Sequence, residues 1–376
     1  MIVGVLRETV AGETRVALTA RAARGLVEAG VEIRVQAGAG EASGIADADY
    51  EEAGAAIAAD ASTLLEAAEL LVKVQPPTPE EIAAIPEGRA LVCTLAPLSD
   101  PERIRALAER NVTAFALELM PRITVAQSMD VLSAMSTVTG YQAVLVAATA
   151  LPKFFPLLMT AAGTIKPARV LVLGAGVAGL QAIATARRLG AVVEAFDVRA
   201  AVKEQVESLG ARFVEQPDAE DAEDAGGYAK EQTADQLEAQ RRLLGERIAE
   251  ADVVICTALV PGRRAPVLMT EDQVKAMKPG SVVVDLAAGQ GGNCEVTRAG
   301  EIVDAHGVQV HGPVNLAAAK PVDASNMFAT NVANYLSHLI ADGQLVLDLE
   351  NELTSGPLVA HQGNVVNEAV KAALEA

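Results

Sequence analysis

One six-residue run, Gly174-Ala175-Gly176-Val177-Ala178-Gly179, constrains this chain more than any other feature. It directly follows an apolar strand pattern, Arg169–Leu173, and opens a helical one at Val177. Its glycines have three separate uses. Gly174 permits the tight turn, Gly176 lets the backbone approach a pyrophosphate, and Gly179 lets helix and strand pack closely. The backbone N–H groups at the helix start, at the positive end of its dipole, bind phosphate. The run therefore predicts a dinucleotide-binding strand–helix–strand unit. Asp197 ends the next strand, 18 residues beyond Gly179, and fits the acidic residue that accepts hydrogen bonds from an adenosine ribose. A carboxylate there repels a 2′-phosphate and favours NAD over NADP. Arg199, two residues on, works the other way.

Strand and helix patterns alternate on both sides of this unit. In the first third, strands are expected at Ile2–Leu6, Val31–Gln36, Leu70–Val74, Ala90–Leu95 and Val112–Leu117. A second series reads Val170–Leu173, Val192–Phe196, Val253–Thr257, Val282–Leu286 and Val308–His311. Helices are expected from Thr19 to Ala29, from Asp100-Pro101 onward, at Val177–Leu189 and at Ala200–Leu209, several closed by glycine. Such alternation implies parallel sheets. A chain of 376 residues exceeds the usual single-domain size, so two domains are expected. Pro321–Ile340 carries Phe328, Val332, Tyr335, Leu336 and Leu339 at amphipathic-helix spacing and reads as a long helix returning to the first domain. The expected fold is α/β: two Rossmann-like parallel-sheet domains joined by long helices, one bearing the dinucleotide fingerprint. The first domain takes residues 1–121 plus 343–376, the connecting helices 122–138 and 321–342, and the NAD-binding domain 139–320.

Composition narrows the function classes. A formal charge of −19 opposes a nucleic-acid partner, which needs a basic surface. Trp is absent and aromatics make up 3%, so the cores are expected to rest on Ala, Val, Leu and Ile, as buried parallel strands under Ala-rich helices do. Cys93, Cys256 and Cys294 form no CxxC pair, which fits buried thiols in a reducing compartment. The four histidines, His306, His311, His338 and His361, have no metal-like spacing, and no metal site is expected. The most apolar long stretch, 143–163, is broken by Pro152, Lys153 and Pro156, and the N-terminus lacks a signal-peptide layout. A cytoplasmic chain without a membrane span of its own is the expectation.

Two further segments carry polar groups in a pattern. Arg122, Gln127, Ser128, Asp130 and Ser133 lie within a short segment, and a helical register brings Gln127, Asp130 and Ser133 near one face. On the residues alone, a solvated helix face accounts for them. Asp218, Glu220, Asp221, Glu223 and Asp224 precede Gly226-Gly227-Tyr228-Ala229-Lys230. The acidic part reads as a solvated loop, and the glycine pair before Tyr228 as the hinge of a flap.

Taken together, Arg122-Ile123-Thr124-Val125-Ala126-Gln127-Ser128-Met129-Asp130, Met159-Thr160-Ala161-Ala162-Gly163-Thr164, the glycine run, Asp197-Val198-Arg199-Ala200 and Gly226-Gly227-Tyr228-Ala229-Lys230 resemble one family. Met277-Lys278-Pro279-Gly280-Ser281 and Gly291-Gly292-Asn293-Cys294 do so too. The family is the NAD(H)-binding component of Re/Si-specific, proton-translocating nicotinamide nucleotide transhydrogenase, and the likeness runs nearly end to end. The resemblance implies a soluble homodimer that binds NAD(H), a partner component that binds NADP(H), and a separate membrane component that conducts protons. The chain would be active only with those partners and peripheral to the inner (cytoplasmic) membrane through them. It further implies that Arg122, Gln127, Ser128, Met129, Asp130 and Ser133 lie beside the nicotinamide and that Tyr228 closes over the nucleotide. Gly174, Ala175, Gly176, Val177, Ala178, Gly179, Asp197, Val198, Arg199, Gly227, Gln240 and Leu259 would line the nucleotide site.

Alanine dehydrogenase is similar over most of the chain and gives the rival reading. Arg15 and Lys73 match its substrate-binding Arg and Lys, and either scaffold retention or a functional role accounts for them. Its general acid/base His, however, aligns with Thr94, and its active-site Asp with Gly289. Oxidising an amino acid moves a proton as well as a hydride and needs a positioned base. Transfer between two nicotinamides needs only close, aligned rings and excluded water.

Overall fold

The computed structural model describes residues 1–215, 234–260 and 262–375. The chain divides into two compact units, Met1–Met135 with Ala317–Ala376, and Ser136–Leu316. One division falls inside the helix Val131–Ala150, and residues 122–130 before it do not form a continuous helix with it. They run through a 3₁₀ segment, Thr124–Met129, and break at Asp130, whose backbone is extended.

The first unit is built on one sheet. Among the described residues its strand order is Asn364–Val365, Leu358–His361, Thr113–Ala116, Ala90–Cys93, Leu70–Val72, Ile2–Val5, Glu32–Gln36 and Ala56–Ala58. The six strands from Thr113–Ala116 to Ala56–Ala58 pair in parallel. Val3, Val5, Leu70 and Val72 are fully buried, as a sheet covered on both faces requires. Thr19 caps the helix Ala20–Glu28 by accepting from Ala22 N–H. The helix Pro321–Leu339 starts with Pro at its first turn and buries Phe328, Val332, Tyr335, Leu336 and Leu339, the face its spacing anticipated. Tyr335 meets Phe115 edge to face, with ring centroids 5.9 Å apart.

The second unit carries the order Arg212–Phe213, Val192–Phe196, Arg169–Leu173, Val253–Cys256, Val282–Asp285, Val308–His311 and Ile302–Ala305. From Arg169–Leu173 the chain goes first to one side and then returns to the other at Val253–Cys256. That reversal opens a crevice at the carboxyl ends of these two strands, where open α/β sheets take ligands. The helix Val131–Ala150 has no charged residue and is long and apolar enough to cross a membrane by length and composition alone. It begins well before the apolar stretch the sequence marks, and Ala143, Val144 and Ala147 are fully buried in this unit's core. Cys93, Cys256 and Cys294 are all free and buried, and burial pushes the Cys294 thiol up to about 11.

Both sheets depart from an all-parallel arrangement at an edge. Two-residue turns with positive φ at both positions cause this: His306-Gly307 pairs Ile302–Ala305 antiparallel to Val308–His311, and Gln362-Gly363 does the same for Leu358–His361 and Asn364–Val365. Such a turn matches strand twist and leaves no length for a crossover. Asp342-Gly343 makes a third hairpin at the end of the long helix.

Because Phe328 sits at the centre of the first unit's core, Phe328→Ala should cost about 3–5 kcal/mol. Urea unfolding followed by circular dichroism measures it, and a loss well under 1 kcal/mol would mean the helix face is not the packing surface described.

Candidate dinucleotide site

The glycine turn shows that its three glycines are present for different reasons. Gly174 has φ +101°, and a Cβ there would lie 2.5 Å from Thr257 Oγ1. A Cβ on Gly179 would lie 2.0 Å from the Gly174 carbonyl oxygen. The fold itself forbids side chains at both positions. Gly176 differs: its φ is −73°, open to any residue, and a Cβ there would meet nothing within 4 Å. It stands at the N-cap of the helix Val177–Arg188, with no side chain capping the helix. Space plus exposed N–H groups at a helix start fits a pyrophosphate.

Two residues that support this turn carry no signal of their role in the sequence pattern. Thr257, just past Val253–Cys256, donates its hydroxyl to the Gly174 carbonyl at 2.9 Å. Gly140 lets the helix Val131–Ala150 pass the start of the next helix, since a Cβ there would lie 2.1 Å from the Ala178 carbonyl oxygen. Only the hydroxyl at the end of a neighbouring strand could have pointed to Thr257, and nothing local points to Gly140.

Asp197 comes to the turn as expected, but its acceptors are already occupied. Its Oδ2 accepts from Ala175 N–H at 2.7 Å and from Arg199 Nη2 at 2.8 Å. Its Oδ1 accepts from the Arg199 backbone N–H and from Arg199 Nε, both at 2.9 Å. These fill the roughly four lone-pair positions of a carboxylate. A ribose hydroxyl reaches Asp197 when the Arg199 side chain yields a position. The guanidinium also offsets the repulsion of a 2′-phosphate that a bare carboxylate would exert.

The remaining expected residues are distributed as follows. Val177 and Leu259 are exposed at the carboxyl side of the sheet, Ala178 is half-buried in the first helical turn, and Val198 packs partly into the core. Gln240 is fully buried in the helix Ala234–Glu250. Gly227 and Tyr228, and hence the expected flap, lie outside the described residues. In the first unit, Arg122, Gln127 and Ser128 are exposed, and Met129 packs partly against the core. Asp130 and Ser133 meet because Asp130 caps the helix, accepting from Ser133 N–H at 2.9 Å and from Ser133 Oγ at 2.6 Å. The single helical face expected for this cluster is therefore replaced by a cap. Asn331 and Asn334 both donate to the Ser128 carbonyl at 2.9 Å and fix the segment.

The first unit has its own reversal, between Ile2–Val5 and Leu70–Val72, and a charged group stands at those strands' carboxyl ends. Lys73 is fully buried and donates to both oxygens of Glu81 at 2.7 and 2.8 Å. Arg15 grips Glu13 through Nε at 2.8 Å and Nη2 at 2.6 Å. Burial opposes ionisation of Glu13, yet the Arg15 hydrogen bonds and charge bring its carboxyl down to about 2. Glu8 goes the other way, pushed up to about 7 by burial against the pull of Lys73. Thr94 donates its hydroxyl to the Val74 carbonyl in the same region. Among the described residues no cluster of His, Cys, Asp and Glu could hold a metal ion.

Two outcomes follow from these charges. Asp197→Ala should weaken NADH binding by about 1–3 kcal/mol, and Arg199→Ala should raise the preference for NADH over NADPH by removing the group that tolerates a 2′-phosphate. Fluorescence titration measures both, and unchanged affinities would remove these assignments. Glu8 is neutral in the folded state up to about pH 7 but ionises at 4.5 when unfolded. Its contribution to stability is complete below that lower value and is lost as pH rises towards 7. Glu8→Gln should therefore gain stability relative to the parent as pH climbs through this window, and a constant difference in melting temperature would contradict it.

Both units match known families. The alanine dehydrogenase/PNT N-terminal domain matches residues 4–139, and the alanine dehydrogenase/PNT C-terminal domain residues 143–368. The first portion of the NAD(P) transhydrogenase alpha subunit of Rhodospirillum rubrum, a separate chain, is 47% identical over 379 residues, covering 98% of this chain and 99% of that one. Alanine dehydrogenase of Bacillus subtilis is 32% identical over 381 residues, covering 98% and 94%. The crystal structure of transhydrogenase from Sinorhizobium meliloti superposes with a TM-score of 0.86 at 42% identity, covering 98% of this chain and all of that one. The glycine turn and both sheets fall within these matches, and the chain belongs to the alanine dehydrogenase/PNT family, within its NAD(P) transhydrogenase alpha-subunit group.

Proposed function

We propose that this chain binds NAD(H) at the glycine turn and exchanges a hydride with NADP(H) held on a partner subunit, in a Re/Si-specific transhydrogenase. A separate membrane component would couple the exchange to proton movement. The chain would work as a homodimer on the cytoplasmic side of the membrane and be active only with its partners. Bound nicotinamide supplies the hydride-carrying carbon. The chain's role is to hold the pyrophosphate at Gly174–Gly179, orient the adenosine through Asp197 and Arg199, and keep water from the ring. Arg122, Gln127, Ser128, Asp130, Ser133 and Tyr228 are assigned to the nicotinamide end on family likeness.

One observation carries the choice of hydride exchange over amino-acid oxidation. The positions that resemble the dehydrogenase's acid/base pair hold Thr94, whose hydroxyl is committed to the Val74 carbonyl, and Gly289. Neither can manage a proton near neutral pH. The cations that resemble substrate-binding groups, Arg15 and Lys73, are already paired with Glu13 and Glu81.

The test is an exchange assay. The pure chain should bind NADH yet reduce nothing until an NADP-binding partner is added, whereupon hydride passes between the two nucleotides. Strong alanine-dependent NADH formation by the pure chain would overturn the reading in favour of an alanine dehydrogenase.

A further inference from the structure

Asn293 is fully buried in the second unit, and its polar side chain is directed at one stretch of backbone. Its Oδ1 accepts from Ala258 N–H at 3.0 Å, and its Nδ2 donates to the Ala258 carbonyl at 2.8 Å. The same Nδ2 donates to the Pro266 carbonyl at 2.8 Å. A side-chain amide has the donor and acceptor pattern of a peptide group, so Asn293 treats Ala258 as a neighbouring strand would. The sheet needs such a substitute there. Val253–Cys256 has ended, and its neighbour Val282–Asp285 has turned away.

The turn that delivers Asn293 is itself held rigidly. Gly291 and Gly292 have φ of +96° and +80°, and a Cβ on Gly292 would lie 2.9 Å from Asp285 Oδ2. The buried Asp285 accepts from the N–H groups of Ala287, Asn293 and Cys294 and from the Thr297 hydroxyl. On the other side of Ala258, Thr257 is tied to the glycine turn through Gly174. Residues 257–258 are thus fastened at both ends, and Leu259 follows them, exposed, at the crevice where the sheet order reverses.

Asp197 places the adenosine on the Val192–Phe196 side of the turn. The other mononucleotide then lies across the reversal, over the end of Val253–Cys256. We propose that Asn293 is a positioning residue for the nicotinamide half of the dinucleotide: it holds Ala258 so that Leu259 sets the width of that half of the site. This rests on the reading that the turn binds NAD(H). It extends that reading by separating residues that serve the two halves of the ligand.

The test compares NADH with ADP, which carries only the adenosine and phosphate half. Both are titrated against the full-length parent chain and its Asn293→Ala, Leu259→Ala and Ser281→Ala variants. Ser281 is a buried control at the opposite end of the strands, bonded to the Ala251 carbonyl. Asn293→Ala and Leu259→Ala should each raise the Kd for NADH about tenfold while leaving that for ADP within about twofold of the parent. Ser281→Ala should change neither ratio, however much it lowers the melting temperature. Leu259 is exposed, so its variant reports even where Asn293→Ala fails to fold. Equal losses for NADH and ADP, or no loss in Leu259→Ala, would overturn the proposal. A parent chain that binds neither nucleotide would instead overturn the dinucleotide reading itself.

Discussion

The helix Val177–Arg188 is seated directly on the turn that introduces it, and this contact organises the second unit. The Gly174 carbonyl lies where a Cβ of residue 179 would be, and the Thr257 hydroxyl donates to that same carbonyl. Any side chain at position 174 or 179 would push helix and strand apart. Held this close, the helix start points its unsatisfied N–H groups at the crevice beside Gly176. Asp197 strengthens the arrangement by accepting from Ala175 N–H inside the turn.

The same economy of charge recurs in both units. Each sheet reverses its strand order, and each reversal gathers buried ionic groups at strand ends. In the second unit Asp197 is satisfied by Arg199, and in the first Lys73 and Arg15 are satisfied by Glu81 and Glu13. Unpaired, such groups would be costly to bury. The pairings also bear on chemistry. A crevice whose cations already hold internal carboxylates has little to offer an acidic substrate, whereas a turn with open space and a bare helix start suits a phosphate. Glu8 is the exception in the first unit, protonated near neutral pH because burial outweighs its cationic neighbour.

The sequence is legible where one local rule decides the structure. The paired parallel strands agree with their apolar runs to within one or two residues, and the helix Pro321–Leu339 buries the five residues its spacing names. Glycine punctuation marks helix ends correctly at Gly190 and Gly210. Legibility fails where a distant partner decides. His306-Gly307 and Gln362-Gly363 carry no strong turn signature, so the antiparallel edges they create are not visible in the residues. Asp342-Gly343 does carry one, but its place after a long helical pattern makes Gly343 look like a helix stop alone. At the site, the glycines and Asp197 are visible because their spacing is fixed by the ligand. Thr257, Gly140 and the filling of Asp197's acceptors by Arg199 are not, since each depends on how the folded chain brings groups together. Asp130 and Ser133 have the spacing of one helix face, yet a cap forms instead because the backbone breaks at Asp130.

Gly176 offers the most direct test, because it is the one glycine of the three that the fold does not require. A Gly176→Val variant places a branched side chain in open space, at backbone angles valine readily adopts. The account predicts a melting temperature close to the parent's together with loss of NADH binding in a fluorescence titration. Unchanged NADH affinity in the folded variant would show that the nucleotide does not lie against this turn, and the central claim would fall.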